Sequence, residues 1–228
     1  MTGNVPIQRT ESGKIMRKAM CILCRLKYHR GEMEFFNNRI GICEECFSDL
    51  PRTHSTKSFP AIKTAEYVVS PFYYKGRLRR SMLDFKFNFS YAFGDIYARL
   101  MYEELKDLTH LREFDMIIPV PMSKERMRER GYNQASLVAQ AFSEYIKVPY
   151  REDILIRHKN TKRQSGLWGM ERATNILGAF SSSDVFGKRI LLLDDIHTTG
   201  NTIEECARTL KRAGAKEILG MVIAIIDR

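Results

Sequence analysis

The run RILLLDDIHTTGNT at residues 189–202 limits the fold of this chain more than any other segment. Its first part is continuously apolar, which is typical of a strand buried on both faces of a parallel sheet. Two adjacent acidic residues, Asp194 and Asp195, follow directly, and a loop rich in hydroxyl groups then leads into a helical pattern. The run predicts a strand, a loop and a helix in succession, with polar groups where the strand ends.

The same alternation of strand and helix recurs along the chain. Strands are predicted at AEYVVSPFYYKG, which ends in a turn at Gly76, and at DMIIPVP, DILIR and EILGMVIAII. Helices are predicted at about 132–147 and at TIEECARTLKRAG. The spacing from Arg77 to about Leu105 is roughly helical, although FKFNFSYAF interrupts it and also fits an extended segment. The sequence therefore predicts an α/β fold with a mostly parallel, doubly wound sheet.

The bulk properties limit the size of the fold and the kind of partner. A chain of 228 residues suffices for one α/β body and a smaller appendage. The net charge of +10 favours anionic partners, namely nucleic acid, phosphorylated small molecules or acidic lipid headgroups. No apolar run is long enough to span a bilayer and no secretory signal is recognisable, so we expect a cytoplasmic protein.

Four of the five cysteines follow the spacing C-x2-C-x18-C-x2-C, formed by Cys21, Cys24, Cys43 and Cys46. Each C-x2-C pair lets two thiolates reach the same ion, and the interval allows a hairpin to return the second pair. The spacing predicts a closed, structural Zn²⁺ site, with four reduced core cysteines or two disulfides as alternatives. Cys206 stands alone in a helical pattern and is expected to be a small core residue.

These features divide the chain into three parts. Residues 1–19 are polar and unpatterned and are predicted to be a flexible tail, and residues 20–55 form the predicted zinc-finger unit. The segment 51–64 is rich in Pro, Ser, Thr and Lys, which is typical of a linker or boundary. Residues 65–228 make up the predicted α/β domain.

The residues that follow the strand of 189–193 form a candidate phosphosugar site. In an open α/β sheet, ligands bind beyond the carboxyl ends of the strands. Asp194 and Asp195 can accept hydrogen bonds from a sugar diol, or hold a Mg²⁺ ion that bridges to one. The following loop and helix start can surround a 5-phosphate with Thr198, Thr199, Gly200, Asn201 and Thr202. The alternative is a plain helix cap beside two solvated turn residues.

Five motifs in order resemble one known family. The stretch at 189–202 resembles the phosphoribosyl-pyrophosphate (PRPP) binding motif of type I phosphoribosyltransferases. With the four-cysteine unit and the segments FYYKGRLRRSMLDFKF, IIPVPMSKERMRERGYNQA and TKRQSGLWGMERATNILGAF, it is similar to the ComF family, in particular the ComFC competence proteins. The resemblance runs from about Cys21 to the C-terminus. It implies a type I phosphoribosyltransferase-like domain with a small N-terminal zinc-binding unit.

The resemblance also implies roles for individual residues. Asp194 and Asp195 would face the ribose, and Thr198 to Thr202 would hold the 5-phosphate, with Mg²⁺ accompanying PRPP. The PVPMSKER segment corresponds to the pyrophosphate loop, whose candidates are Ser123, Lys124 and Arg126. The basic segment 158–175 corresponds to the mobile loop that covers PRPP, with candidates Lys162, Gln164, Arg172 and Asn175.

Two positions depart from the family pattern, and the catalytic residues stay unknown. Arg163 stands where a proline is usual, and His197 stands where apolar or aromatic residues are common. Neither change prevents phosphate binding. The only candidate general bases are His158, His197 and scattered carboxylates, and no acceptor pocket is recognisable. Phosphoribosyltransferase activity is therefore left open.

A second group of residues is suited to nucleic acid. Basic and aromatic residues alternate in FYYKGRLRRSMLDFKFNFSYAF, which suits backbone tracking with base stacking, although the aromatics equally suit a core. The basic candidates are Lys75, Arg77, Arg79, Arg80 and Lys86.

The resemblance implies a competence protein for natural transformation. Such a protein would handle incoming single-stranded DNA at the cytosolic side of the inner membrane, beside a DEAD-box-like ATPase. We expect a cytoplasmic location with recruitment to the inner face of the membrane. Two alternatives are a Mg²⁺-dependent phosphoribosyltransferase of unknown acceptor and a regulator that senses PRPP.

Overall fold

The computed structural model describes residues 8–9, 15–16, 18–29, 41–53, 64–65, 67–87, 91–158 and 176–227. The helices in these ranges are Glu44–Ser48 (α1), Gly76–Phe87 (α2), Phe93–Leu105 (α3), Lys124–Arg130 (α4), Gln134–Ile146 (α5) and Asn201–Arg212 (α6), with a 3₁₀ turn at Thr109–Glu113. The strands are Gln8–Arg9 (β1), Ile15–Met16 (β2), Lys18–Met20 (β3), Lys27–His29 (β4), Tyr67–Val69 (β5), Phe72–Tyr73 (β6), Met116–Pro119 (β7), Leu155–Arg157 (β8), Phe180–Ser182 (β9), Arg189–His197 (β10) and Glu217–Ile225 (β11).

A five-stranded parallel sheet forms the centre of the described chain. The strand order is β5, β11, β10, β7, and β6 continues the β5 edge by pairing with the end of β11. Strand β10 pairs with β11 along most of its length, whereas β7 pairs only with its first half. The prediction of an α/β fold with a parallel sheet is confirmed.

The side chains of β10 alternate between two hydrophobic cores. Leu191 and Leu193 pack with α2, α3 and α5, whereas Ile190 and Leu192 pack on the opposite face with α6 and with β8 and β9. All four side chains are 0% exposed. Both faces of the strand are thus covered, which explains why RILLL is apolar at every position instead of alternating.

The four-cysteine unit shares its core with the helices on one face of the sheet. Ile22 and Leu50 belong to the same buried cluster as Leu78 of α2. A Cβ built at Gly41 would lie 2.9 Å from Cδ1 of Ile96 in α3, so the unit approaches this helix closely. The predicted division at residues 20, 55 and 65 stays a prediction, but the two parts have one continuous core.

Several local predictions differ from the structure. The sequence predicts that the strand stops before the aspartates, but β10 continues to His197, because its backbone pairing with β11 extends that far. Gly76 begins α2 instead of ending a strand, and α2 continues through Phe87. Its buried residues Leu78, Met82 and Phe85 recur at helical spacing and anchor it to the core.

A further correction concerns the pyrophosphate-loop segment, and two short strand pairings involve the N-terminal residues. Residues of PVPMSKER open a short helix, α4, which periodicity did not predict. Within the predicted tail at 1–19, β1 pairs with β2, and β3 pairs with β4 further along the chain. None of the helices in the described ranges combines the length and the apolar composition that crossing a bilayer requires.

Candidate functional site

The two aspartates lie near the carboxyl end of β10, at the edge of the sheet that the carboxyl ends of the parallel strands form. The Asp194 carboxylate oxygen Oδ1 accepts a hydrogen bond of 2.8 Å from the backbone N–H of Asp195. The Asp195 oxygen Oδ2 lies 2.7 Å from Nζ of Lys86, which comes from the end of α2. The side chains of this ion pair are only 16% and 18% exposed. The acidic pair is therefore a partly buried, charge-compensated site and not a solvated turn.

A tight loop connects the aspartates to helix α6. Gly200 adopts a left-handed conformation with φ of 79° and caps α6, a geometry that a glycine accepts most easily. Thr198 and Thr199 are exposed, and Asn201 and Thr202 are half-buried in the first turn of the helix. This arrangement leaves hydroxyls and N–H groups where an anion can approach a helix N-terminus. His197 is buried at 5% exposure, so its ring lies within the protein.

The predicted pyrophosphate-loop residues lie beside the same sheet edge. The backbone N–H of Val120, at the end of β7, donates to the Leu193 carbonyl of β10 over 2.8 Å. Ser123 is 2% exposed and caps α4 by accepting from the Arg126 N–H. Lys124 is exposed and Arg126 half-buried. Ser123 thus has a structural role here, while the two basic side chains stand nearer to solvent.

Charges from three elements act on the acidic pair. Burial raises the pKa of Asp194 to about 7, and the adjacent Asp195 carboxylate adds to the rise, whereas Lys86 and Arg126 oppose it. Arg157 of β8 is 9% exposed, and burial lowers the pKa of its guanidinium, while Asp194 acts in the opposite direction. The positive charges of Lys86, Arg126 and Arg157 therefore all act on the Asp194 carboxyl group.

Lys86 and Arg157 are the members of this site that sequence reasoning missed. Lys86 was assigned to a DNA surface, but its neighbour Phe85 is a core residue of α2, which brings Lys86 close to the protein interior. Arg157 shares a strand face with the buried Leu155, a period-two signal that marks it as inward-facing. Its guanidinium lies 5.4 Å from the centre of the Phe180 ring.

The two ends of the predicted mobile loop lie side by side, and the residues that follow the loop contact α6. Strands β8 and β9 pair antiparallel and bring its two ends together. The Gly178 N–H donates over 2.8 Å to a carboxylate oxygen of Glu205, a residue of α6 that is 3% exposed. The loop candidates lie outside the described residues, as does Arg163; these candidates are Lys162, Gln164, Arg172 and Asn175.

The four predicted metal ligands come together. The sulfur atoms of Cys21, Cys24, Cys43 and Cys46 all lie within 4.8 Å of one another. Cys24 Sγ is 3.9 Å from Cys43 Sγ, close to the roughly 3.8 Å expected between two thiolates at about 2.3 Å from a tetrahedral Zn²⁺. None of the described cysteines forms a disulfide. A four-cysteine cluster that can hold a metal ion is confirmed, and its donors fit Zn²⁺.

One carboxylate oxygen of each aspartate already has a partner, which disfavours a resident Mg²⁺ ion at the pair. One oxygen of Asp195 contacts the Lys86 ammonium, and one oxygen of Asp194 accepts a backbone N–H. Among the residues that the structure describes, only the four cysteines form a cluster of three or more groups able to hold a metal. Mg²⁺ that arrives with the pyrophosphate of PRPP stays a prediction.

The predicted DNA-binding residues fall into different environments. Arg77 donates to Glu45 over 2.9 Å and to Cys46 Sγ over 3.4 Å, so it braces the cysteine cluster. Lys75 and Arg79 lie over the rings of tyrosines. Arg77 and Arg80 line a groove of about 570 Å³ between α2 and the four-cysteine unit. Lys86 stands apart from these four, beside Asp195.

The parallel sheet, the acidic pair and the glycine-capped loop define a protein of the phosphoribosyltransferase type. Residues 91–226 match the family described as phosphoribosyl transferase domain, which is more than half of the chain. The chain belongs to this family.

Its relatives include competence proteins and DNA utilization proteins. The chain is 38% identical to competence protein F of Haemophilus influenzae over 59% of its length and 62% of the relative. It is 32% identical to competence protein ComFC of Streptococcus pneumoniae over 64% of its own length and 63% of that relative. It is 27% identical to the DNA utilization protein YhgH of Escherichia coli O157:H7 over 87% of its own length and 93% of that relative. The chain spans less than two thirds of the two competence proteins, and the predicted resemblance to the ComF family is confirmed.

We expect the protein to contain one Zn²⁺ per chain and Cys43→Ser to lose it. Because the cysteine unit and α2 share one core, this loss should destabilise the whole fold and not the N-terminal part alone. Metal analysis and urea unfolding measure the two effects. Cys206→Ala is the control: Cys206 is buried in α6, away from the cluster, and should keep the metal. A folded, metal-free wild type would contradict the expectation.

The raised pKa of Asp194 predicts a pH-dependent stability. The folded protein keeps this proton up to a pH of about 7, whereas an unfolded chain loses it near pH 4. The wild type therefore loses stability as the pH rises through this window. We expect Asp194→Asn to be more stable than the wild type by about 4 kcal/mol at about pH 8, and equally stable below about pH 4.

Urea unfolding at the two pH values checks this expectation, with Asp153→Asn as the matched control. The hydrogen bond from Arg151 lowers the pKa of Asp153 to about 2, so this control should lose stability at the higher pH, not gain it. Equal stability of Asp194→Asn and the wild type at both pH values would show that the Asp194 carboxyl titrates normally.

Proposed function

We propose that this protein acts in DNA uptake, handling incoming single-stranded DNA at the cytosolic side of the inner membrane, and that it carries a PRPP-type phosphosugar site. Its similarity to competence and DNA utilization proteins supports the first part. One observation carries the second part: the acidic pair, the glycine-capped loop and three cationic side chains converge at one sheet edge. The ATPase partner and the membrane recruitment stay expectations from the resemblance.

The proposed orientation of the phosphosugar follows from the positions of the aspartates and the loop. Asp194 and Asp195 accept hydrogen bonds from the ribose diol, because carboxylate oxygens are acceptors for hydroxyl groups. The 5-phosphate meets the loop from Thr198 to Thr202 and the positive end of α6. Lys124 and Arg126 lie in the first turn of α4, which follows β7, and the pyrophosphate of PRPP would extend toward them. By the resemblance, the basic segment 158–175, most of which lies outside the described residues, would cover this ligand.

The positive charge of the outer surface favours binding of single-stranded DNA. The net charge of +10 creates a field that attracts phosphates from a distance. Arg77 and Arg80 stand on the groove between α2 and the four-cysteine unit, with Arg79 on the same helix. The groove offers a path for a sugar-phosphate backbone, and Tyr73 and Tyr74, just before α2, are only half-buried and so partly available to bases.

A phosphoribosyl transfer activity is the second candidate, favoured by the family to which residues 91–226 belong. In this reaction an acceptor nitrogen forms a bond to C1 of the ribose while the bond from C1 to pyrophosphate breaks. The cationic side chains near the edge would stabilise the departing pyrophosphate. Measurement of pyrophosphate release with candidate bases distinguishes this activity from binding alone. A PRPP-sensing regulator would bind PRPP without releasing pyrophosphate.

The phosphosugar site predicts that Asp195→Ala weakens PRPP binding by about tenfold or more, because hydrogen bonds to a charged acceptor are lost. Isothermal calorimetry of the wild type and the variant checks this. Asp153→Ala removes an exposed carboxylate of the same type and should leave the affinity unchanged. Equal affinity of Asp195→Ala and the wild type would place the ligand elsewhere.

The DNA surface predicts a steep dependence of affinity on salt, because bound cations are released from the phosphates. Charge reversal with Arg79→Glu and Arg80→Glu should lower the slope of log affinity against log salt by about two. Fluorescence anisotropy with labelled oligothymidine measures the slope. The same charge change at the exposed Lys106 and Lys147 is the control. A salt-independent or absent interaction would favour the enzyme as the main function.

A further inference from the structure

The ion pair between Lys86 and Asp195 brings a residue from outside the matched domain into the phosphosugar site. The family match begins at residue 91, whereas Lys86 belongs to α2, which ends at Phe87. Its ammonium nitrogen lies 2.7 Å from Asp195 Oδ2, and both side chains are more than four fifths buried. The contact is thus a largely buried ion pair at the sheet edge and not an exposed surface pair.

The end of α2 is held in place one residue before Lys86. The backbone carbonyl of Phe85 accepts hydrogen bonds from the Tyr132 hydroxyl and from Nε2 of Gln134, the latter over 3.2 Å. The Phe85 ring packs at 5.5 Å from the Tyr97 ring and 5.7 Å from the Tyr132 ring. These contacts fix the backbone at the end of α2, from which the Lys86 side chain reaches Asp195.

The charges at this edge leave little room for a divalent cation. Asp194 and Asp195 face Lys86, and Arg126 and Arg157 interact electrostatically with Asp194. A metal at the aspartates would have to share Asp195 with the ammonium and approach two guanidinium groups. An anionic sugar phosphate instead meets a field of favourable sign. The same arrangement that disfavours Mg²⁺ favours the ligand.

We propose that Lys86 is the resident cation of the phosphosugar site: it positions Asp195 for the ribose diol and makes binding of a ribose phosphate independent of divalent metal. This inference rests on the proposed phosphosugar site and goes beyond it in naming the positioning residue and the metal requirement. The ligand class is a sugar monophosphate with a free diol. Mg²⁺ is then needed only by ligands that carry it on a pyrophosphate.

Calorimetry with ribose 5-phosphate tests the proposal on the full chain. The buffer is freed of divalent ions by a chelating resin before the protein is added. A soluble chelator is avoided because it would remove a metal ion bound by the four cysteines. The wild type should bind with the same affinity, within about twofold, with and without added Mg²⁺. Lys86→Gln should bind about tenfold more weakly without metal and recover part of the loss with Mg²⁺.

Two further variants separate positioning from stability. Lys86→Arg keeps the charge and should restore most of the metal-free affinity. Lys106→Gln removes a lysine from the exposed pair with Glu103 and should bind like the wild type. If Lys86→Gln does not fold, the wild type with and without Mg²⁺, together with Lys86→Arg, still decides the question.

The outcomes distinguish the inference from the function on which it rests. A wild type that binds in neither buffer overturns both the phosphosugar site and the role of Lys86. A wild type that binds only with Mg²⁺ keeps the site and overturns the proposal. Unchanged metal-free affinity in Lys86→Gln also overturns it, because the ion pair would then be purely structural.

Discussion

Two adjacent carboxylates at the end of a strand buried on both faces need compensating charge, and this requirement ties several elements together. Burial disfavours the charged form of Asp194, and Asp195 next to it makes the cost higher. Lys86 arrives from α2, Arg126 from α4 and Arg157 from β8. Three elements that are distant in sequence therefore meet at the end of β10, where an anionic ligand can also be held.

Helix α2 connects this edge to the four-cysteine unit. Near its first turn, Arg77 donates to Cys46 Sγ and to Glu45, and near its last turn Lys86 reaches Asp195. Tyr132 and Gln134 hold the same end of the helix through the Phe85 carbonyl. A loss of metal at the cysteines would act on one end of a short helix whose other end lies in the proposed phosphosugar site. The unit therefore belongs structurally to the site, although it has no open position for a ligand.

The basic residues of this protein serve two different physical purposes. At the sheet edge, Lys86 and Arg157 are largely buried and held against fixed partners, so salt screens them little. On the outer face of α2, Arg79 and Arg80 are exposed and act mainly through the summed field. Composition alone placed Lys86 with the second group. Its helical neighbour Phe85 is a core residue, and this is why the lysine belongs to the first group.

The sequence by itself determined the parallel α/β sheet, the cysteine cluster and the position of the aspartates. These features depend on residues close together in the chain: RILLL must be buried on both faces, and each C-x2-C pair is local. The end of β10 was misplaced, because backbone pairing with β11 continues past the apolar residues. Only the tertiary structure decided that Lys86 faces Asp195 and that Arg157 lies near Asp194. Such pairings depend on how α2 and β8 pack against the sheet, and residue periodicity carries no information about distances between elements far apart in the chain.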